Sequence, residues 1–141
     1  MQDGGRVNPN ERSTAVKSNF IRCGMYGWCI EVLWTGLGSL LQHDPKLMGF
    51  SSLRMFPIYG MASMIAPLSS HLRKYGALTR GLIYMMCIYG VEYTSGTYLK
   101  KHDCCPWDYS DAKYQVNGVI RLDYAPLWFL TGLFYEKALT D

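Results

Sequence analysis

Two carboxylates stand alone inside the most apolar stretches of the chain: Glu31 in GWCIEVLWTG and Glu92 in GVEYTSG. A carboxylate at membrane depth costs at least about 2.5–3.5 kcal/mol on insertion scales, so each is expected to face a bundle interior, a partner or water. Their neighbours at helical spacing agree. Gly24, Gly27, Glu31, Thr35 and Gly38 form one small and polar stripe. Met85, Ile88, Tyr89, Glu92, Ser95, Gly96 and Leu99 form a second, small or polar in its C-terminal half. Two carboxylates on two small-residue faces predict one shared cavity. Tyr59, in FPIYG, adds a hydroxyl on a stretch that Pro57 and Pro67 are expected to break, as in the discontinuous helices of transporters.

The densest cluster of polar and aromatic residues is CPWDYSDAKYQVNGVIRLDYAPLW, Cys105 to Trp128. Pro106 interrupts the backbone, and Asp108 with Ser110 and Asp111 suits a turn or a helix start. Arg121 is placed to neutralise any of Asp108, Asp123, Glu31 or Glu92. Carboxylates with aromatic neighbours favour an organic cation or amine, through charge pairing and cation–π contact. The predicted ligand-binding set is Glu31, Tyr59, Glu92, Trp107, Asp108, Tyr109, Asn117, Arg121 and Asp123.

Two other function classes fit the same residues. In the first, a membrane-embedded enzyme acts on a lipid or isoprenoid, with Glu92 or Asp108 as general acid or base and Arg121 holding a headgroup phosphate. In the second, the carboxylates pair with Arg54 and Arg121 to fix a structural subunit that assembles with a partner membrane protein. His43, His71 and His102 all lie at the edges of the apolar windows, so neither a metal nor a cofactor is predicted. Cys23, Cys29, Cys87, Cys104 and Cys105 lack metal spacing and read as free thiols, with an oxidised Cys104–Cys105 pair as the alternative.

The elements that must carry these residues follow from how the charges bunch. One charge falls between Cys23 and Leu41, none between Met55 and Ser70, one between Gly81 and Leu99, and none between Tyr124 and Tyr135. The first and third windows reach the roughly 20 residues a bilayer requires. The second does so if extended back through Phe50 and Arg54, and the fourth if Val119 to Asp123 are included. Met25, Tyr26, Trp28, Cys29, Ile30, Val32, Leu33 and Trp34 put apolar side chains all round the helix, as do Leu82 to Val91, unlike a soluble bundle with polar outer faces. The prediction is an all-α integral membrane bundle of about four transmembrane helices, with a partly re-entrant or interfacial segment before the last. Residues 1–20 are expected as a flexible polar tail and residues 21–141 as a single domain.

Arg6, Arg12, Lys17, Arg22, Arg73, Lys74, Arg80 and Lys137 fall on one side of such a bundle. Lys46, Lys100, Lys101 and Lys113 fall on the other, which predicts both termini cytoplasmic. The net charge of +3 then reads as topology and contact with lipid headgroups, and nucleic acid is not implied. No cleavable signal peptide is apparent. The expected partners are the bilayer, a small-molecule or lipid ligand, and a second copy or a partner membrane subunit.

In order along the chain, GWCIEVLWTG, FPIYG, GVEYTSGTYL, CPWDYS and NGVIRLDYAPLWFLTGLFYE resemble the ABC-transporter type IV membrane family, most closely its transmembrane protein 229 group. The resemblance runs from Ile21 to Glu136. It implies a small helical membrane protein of about four spans and a transport-related role. The chain has no G-x-x-x-x-G-K-[ST] phosphate loop, so ATP-driven work would need a separate ATPase subunit.

Overall fold

The computed structural model describes residues 8–140. Helix α1 (Pro9–Leu41) is followed by α2 (Met55–Gly60), a 3-10 turn (Met61–Met64), α3 (Ile65–Leu72) and α4 (Ala77–Lys101). A two-stranded hairpin, β1 (Gln115–Val116) and β2 (Ile120–Arg121), and a second 3-10 turn (Leu122–Tyr124) lead into α5 (Ala125–Thr140). The chain is therefore mostly helical, in four antiparallel columns, the second composed of α2, the 3-10 turn and α3.

Helix α1 begins well before the apolar window. The Asn8 side chain accepts the Asn10 N–H, Pro9 occupies the first turn where its missing N–H costs nothing, and Glu11 lies in that turn. Residues 9–20, expected in a polar tail, are thus its opening turns, while residues 1–7 of that expected tail lie outside the described residues.

The second column breaks where its proline chemistry requires. Pro57 sits in the first turn of α2 and disturbs nothing. Pro67 cannot donate to the carbonyl of Ser63, and the turn before it tightens into the 3-10 form. The window does not extend back through Phe50, because residues 48–52 run along α1 instead. The Thr35 hydroxyl accepts the Phe50 N–H at 2.6 Å, Ser39 donates to the Met48 carbonyl at 2.7 Å, and Trp28 donates to the Ser52 carbonyl at 2.9 Å.

The fourth window is likewise shorter than expected. Asn117 and Gly118 both have positive φ, 52° and 69°, the geometry of a type I′ turn, so the chain before α5 is a hairpin. The two strands have two residues each, so the all-α expectation holds, with the hairpin lying where a re-entrant or interfacial segment is expected before the last helix. The hairpin leaves α5 with 16 residues, a rise of about 24 Å at about 1.5 Å per residue. Among the described residues no helix is long and apolar enough to cross a membrane. In α1 and α4 the glycines, tyrosines and one carboxylate each dilute the apolar run.

Packing relies on glycine faces. A Cβ on Gly27 would lie 2.2 Å from the Tyr59 ring, and one on Gly132 would lie 2.4 Å from Tyr84 Cβ, so α1 meets α2 and α4 meets α5 at close approach. The hairpin seats on α4 in the same way. Trp107 packs over Gly96, its indole N–H donates to the Val119 carbonyl at 2.9 Å, and Val119 is buried. The core proper is small: Cys23, Ile65, Leu72, Tyr84 and Tyr135. Among the described residues 27 large hydrophobic side chains are exposed against eight buried hydrophobics, those five included, so most of the apolar surface faces outward.

Candidate functional site

Glu31 sits half-buried on the α1 face that meets the returning segment 48–52, and its Oε2 accepts the Ser51 hydroxyl at 2.5 Å. Tyr59, held against Gly27, turns its phenol to the Glu31 carboxylate, with the Tyr109 phenol also within its electrostatic surroundings. Tyr109 in turn donates to Glu92 Oε1 at 3.3 Å, and the Trp128 indole N–H donates to Glu92 Oε2 at 3.2 Å. Each of the two carboxylates, on α1 and α4, thus has a phenol beside it, one from α2 and one from the segment before the hairpin. Both glutamates turn inward, as their helix faces require.

Neither carboxylate has a cationic partner among the described residues. The ion pairs among the described residues are Arg80–Glu136, Lys100–Asp108 and Arg121–Asp123. The expected pairing of the glutamates with Arg54 or Arg121 does not form. Arg121 is held two residues away instead, its Nε and Nη2 donating to the two Asp123 oxygens at 3.1 and 2.7 Å. This fork holds the Asp123 carboxyl below the usual range. It also occupies the guanidinium that a headgroup phosphate would need.

Around Glu92 stands an aromatic group of which the expected binding set contains Tyr109 but not Trp34, Tyr124 or Trp128. Tyr124 meets Tyr109 edge-on at 5.8 Å, Trp128 at 5.8 Å and Trp34 at 6.3 Å between ring centroids. The Arg121 guanidinium lies 4.4 Å from the Tyr124 centroid and 5.8 Å from that of Tyr109. These ring faces already carry a cation. The signal for them was the spacing Tyr124, Trp128, Gly132 and Tyr135, one face of a helix whose last two members are buried.

The surface clefts of the structure give no support to the hollow expected between the glutamates. One surface cleft of about 410 Å³ is lined by Thr79, Leu82, Ile83, Met86 and Cys87, and another of about 200 Å³ by Arg54, Pro57, Ile58, Ser95, Tyr98 and Leu99. Neither is lined by Glu31 or Glu92.

Three other residues of the expected set serve the hairpin. Trp107 anchors it on Gly96, and Asn117 forms its turn while donating to the Tyr93 hydroxyl at 2.8 Å. Asp108 is exposed and accepts both the Ser110 hydroxyl and the Ser110 N–H, with Lys100 at 3.8 Å. The Ser110 bonds, then Lys100, depress its pKa below the ordinary aspartate value. A depressed carboxyl contributes stability that is complete above the unfolded-state pKa and lost as pH falls through the folded one. The Ser110 amide is therefore expected to lose hydrogen-exchange protection as pH drops into that acid range, and in Asp108→Asn it should lack the extra protection at every pH.

A second polar cluster lies at the opposite end of α4 and α5. Arg80 donates through Nε and Nη2 to both Glu136 oxygens at 3.0 and 3.1 Å and through Nη1 to the Tyr75 carbonyl at 2.8 Å; the buried Tyr84 hydroxyl also donates to Glu136. With the two charged side chains 23% and 17% exposed, Glu136→Ala is expected to cost about 1–3 kcal/mol, read as a lowered Tm in detergent. The sequence offered only an Arg counted for topology and a Glu near the end of the last helix, 56 positions apart.

The family model described as "Putative ABC-transporter type IV" matches residues 18–141, nearly the whole chain. The chain belongs to that family. Membership agrees with a transport-related role at a coarse level and with association with a membrane. No solved structure matches the chain. Among the described residues no group of histidine, cysteine and carboxylate side chains could hold a metal ion.

Proposed function

We propose that this chain is a bilayer-embedded member of its family, within the branch of the transmembrane protein 229 group, that binds a small organic cation or amine for transport at the Glu92 carboxylate. The observation that carries this reading is that, among the described residues, both Glu92 oxygens are met only by neutral donors, the Tyr109 hydroxyl and the Trp128 indole N–H. An inward carboxylate without a counter-ion attracts a cation, and the surrounding ring faces favour one with a delocalised or alkylated charge. Arg121 over Tyr124 is an internal precedent for such binding, and its charge is offset by Asp123.

Bilayer placement is supported by the outward apolar surface. Ile21, Met25, Ile30, Leu33, Leu37 and Leu41 on α1, Leu78, Leu82 and Met86 on α4, and Leu130 and Phe134 on α5 are all exposed. Patches of this extent in a monomer mark a membrane or a partner. The distribution of Lys and Arg favours cytoplasmic termini. Because the Tyr109 hydroxyl and the Trp128 indole N–H each cover a Glu92 oxygen, loading requires the Tyr109 segment or α5 to move.

The test is uptake of radiolabelled tetraethylammonium into proteoliposomes containing purified protein. Saturable uptake that disappears in Glu92→Gln supports the proposal. Uptake no greater than in empty liposomes, or equal in the variant, overturns it.

A further inference from the structure

We infer that the cleft between α2 and α4 is a binding site for the headgroup and upper chain of an anionic phospholipid. The cleft, about 200 Å³, has apolar walls from Pro57, Ile58 and Leu99, with Arg54, Ser95 and Tyr98 completing it. Arg54 is exposed, and its guanidinium forms no hydrogen bond or ion pair among the described residues; only its backbone N–H is bonded, to the Ser52 hydroxyl at 3.3 Å. A guanidinium with five free donors beside an apolar cleft calls for an amphiphilic anion, because water alone leaves the walls uncovered and a hydrocarbon alone leaves the charge unpaired.

The hydroxyls fix the polarity of the site further. Ser95 spends its proton on the Val91 carbonyl at 2.6 Å and can only accept. The Tyr98 ring packs against the His102 ring at a 60° tilt, centroids 4.7 Å apart, which holds it at the cleft while its hydroxyl has no partner among the described residues. The free donors are therefore Arg54 and Tyr98, which match phosphate oxygens. The cleft also lies one turn inside the charged end of α4, at Lys100 and Lys101, the level at which headgroups meet acyl chains in a bilayer-embedded bundle. Lys100 is engaged by Asp108, so Arg54 is the basic group that the cleft itself presents.

This site rests on the bilayer placement proposed above and is independent of cation binding at Glu92. The protein is reconstituted in nanodiscs of phosphatidylcholine containing a minor fraction of phosphatidylglycerol. The lipid retained after transfer to detergent is then counted by native mass spectrometry. Enrichment of phosphatidylglycerol is expected, falling about tenfold in Arg54→Gln, less in Tyr98→Phe, and staying near wild type in Lys101→Gln, the control for diffuse electrostatic attraction. Equal enrichment in wild type and Arg54→Gln overturns the inference, as does an equal loss in Lys101→Gln. Displacement of the lipid by millimolar inorganic phosphate overturns it too, by making the site one for free phosphate without a role for the apolar walls. Arg54 has no internal partner, so its variant is expected to keep the wild-type Tm. Protein that will not enter nanodiscs refutes the bilayer placement itself, whereas normal insertion without Arg54-dependent enrichment refutes this site alone.

Discussion

Glu92→Gln is expected to weaken organic-cation binding at least about thirtyfold while leaving the Tm of the protein close to wild type. Glutamine keeps the shape of the side chain and an oxygen to accept from Tyr109 or Trp128, but it removes the only charge that those two donors surround. Loss of a desolvated charge partner costs about 2–5 kcal/mol, which corresponds to roughly 30-fold to several thousandfold in affinity. Titration calorimetry with tetraethylammonium in nanodiscs, paired with thermal unfolding, separates two cases. Lost binding with an intact fold marks a ligand carboxylate, whereas unfolding of the variant marks a structural one. Acid acts in the same direction as the substitution: protonation removes the charge, so binding weakens as pH falls.

The second large effect concerns the helix interfaces. Gly132→Leu is expected to destabilise the bundle by about 3 kcal/mol or more, or to prevent folding. Even a Cβ there would stand 2.4 Å from Tyr84 Cβ, an atom beside the backbone of a fully buried residue that cannot swing aside. Gly38→Leu is the matched control. Nothing lies within 4 Å of a Cβ at that position, so its Tm should change little. Thermal unfolding of the two variants in one detergent measures the contrast directly.

Those glycines also show what can be read from one sequence. The inward faces of α1 and α4 were legible because helical spacing places Gly24, Gly27 and Thr35 beside Glu31, and Ser95 and Gly96 beside Glu92, and the structure keeps both carboxylates on those faces. The hairpin was legible in principle, since Asn-Gly is the strongest short turn signal, yet it lay inside a cluster whose polar side chains suggested ligand contacts. As a result Trp107, Asp108 and Asn117 look like binding residues when read by type, whereas in space they hold a loop. Three features depend on long-range packing that no local pattern carries: segment 48–52 lying along α1, Tyr124 among three other aromatic rings, and the Arg80–Glu136 fork. Arg121 shows the same limit. Its partner is Asp123, two positions along, although the unpaired glutamates seemed to need it more.

The most direct test of the central claim is a density map of the purified protein in nanodiscs, prepared with and without tetraethylammonium. The expected result is a map with Glu31 and Glu92 turned to the interior, the Tyr59 and Tyr109 phenols beside them, and added density beside Glu92 and the neighbouring rings only when the cation is present. Glutamate side chains directed onto lipid, or an Arg or Lys found paired with Glu92, would contradict it.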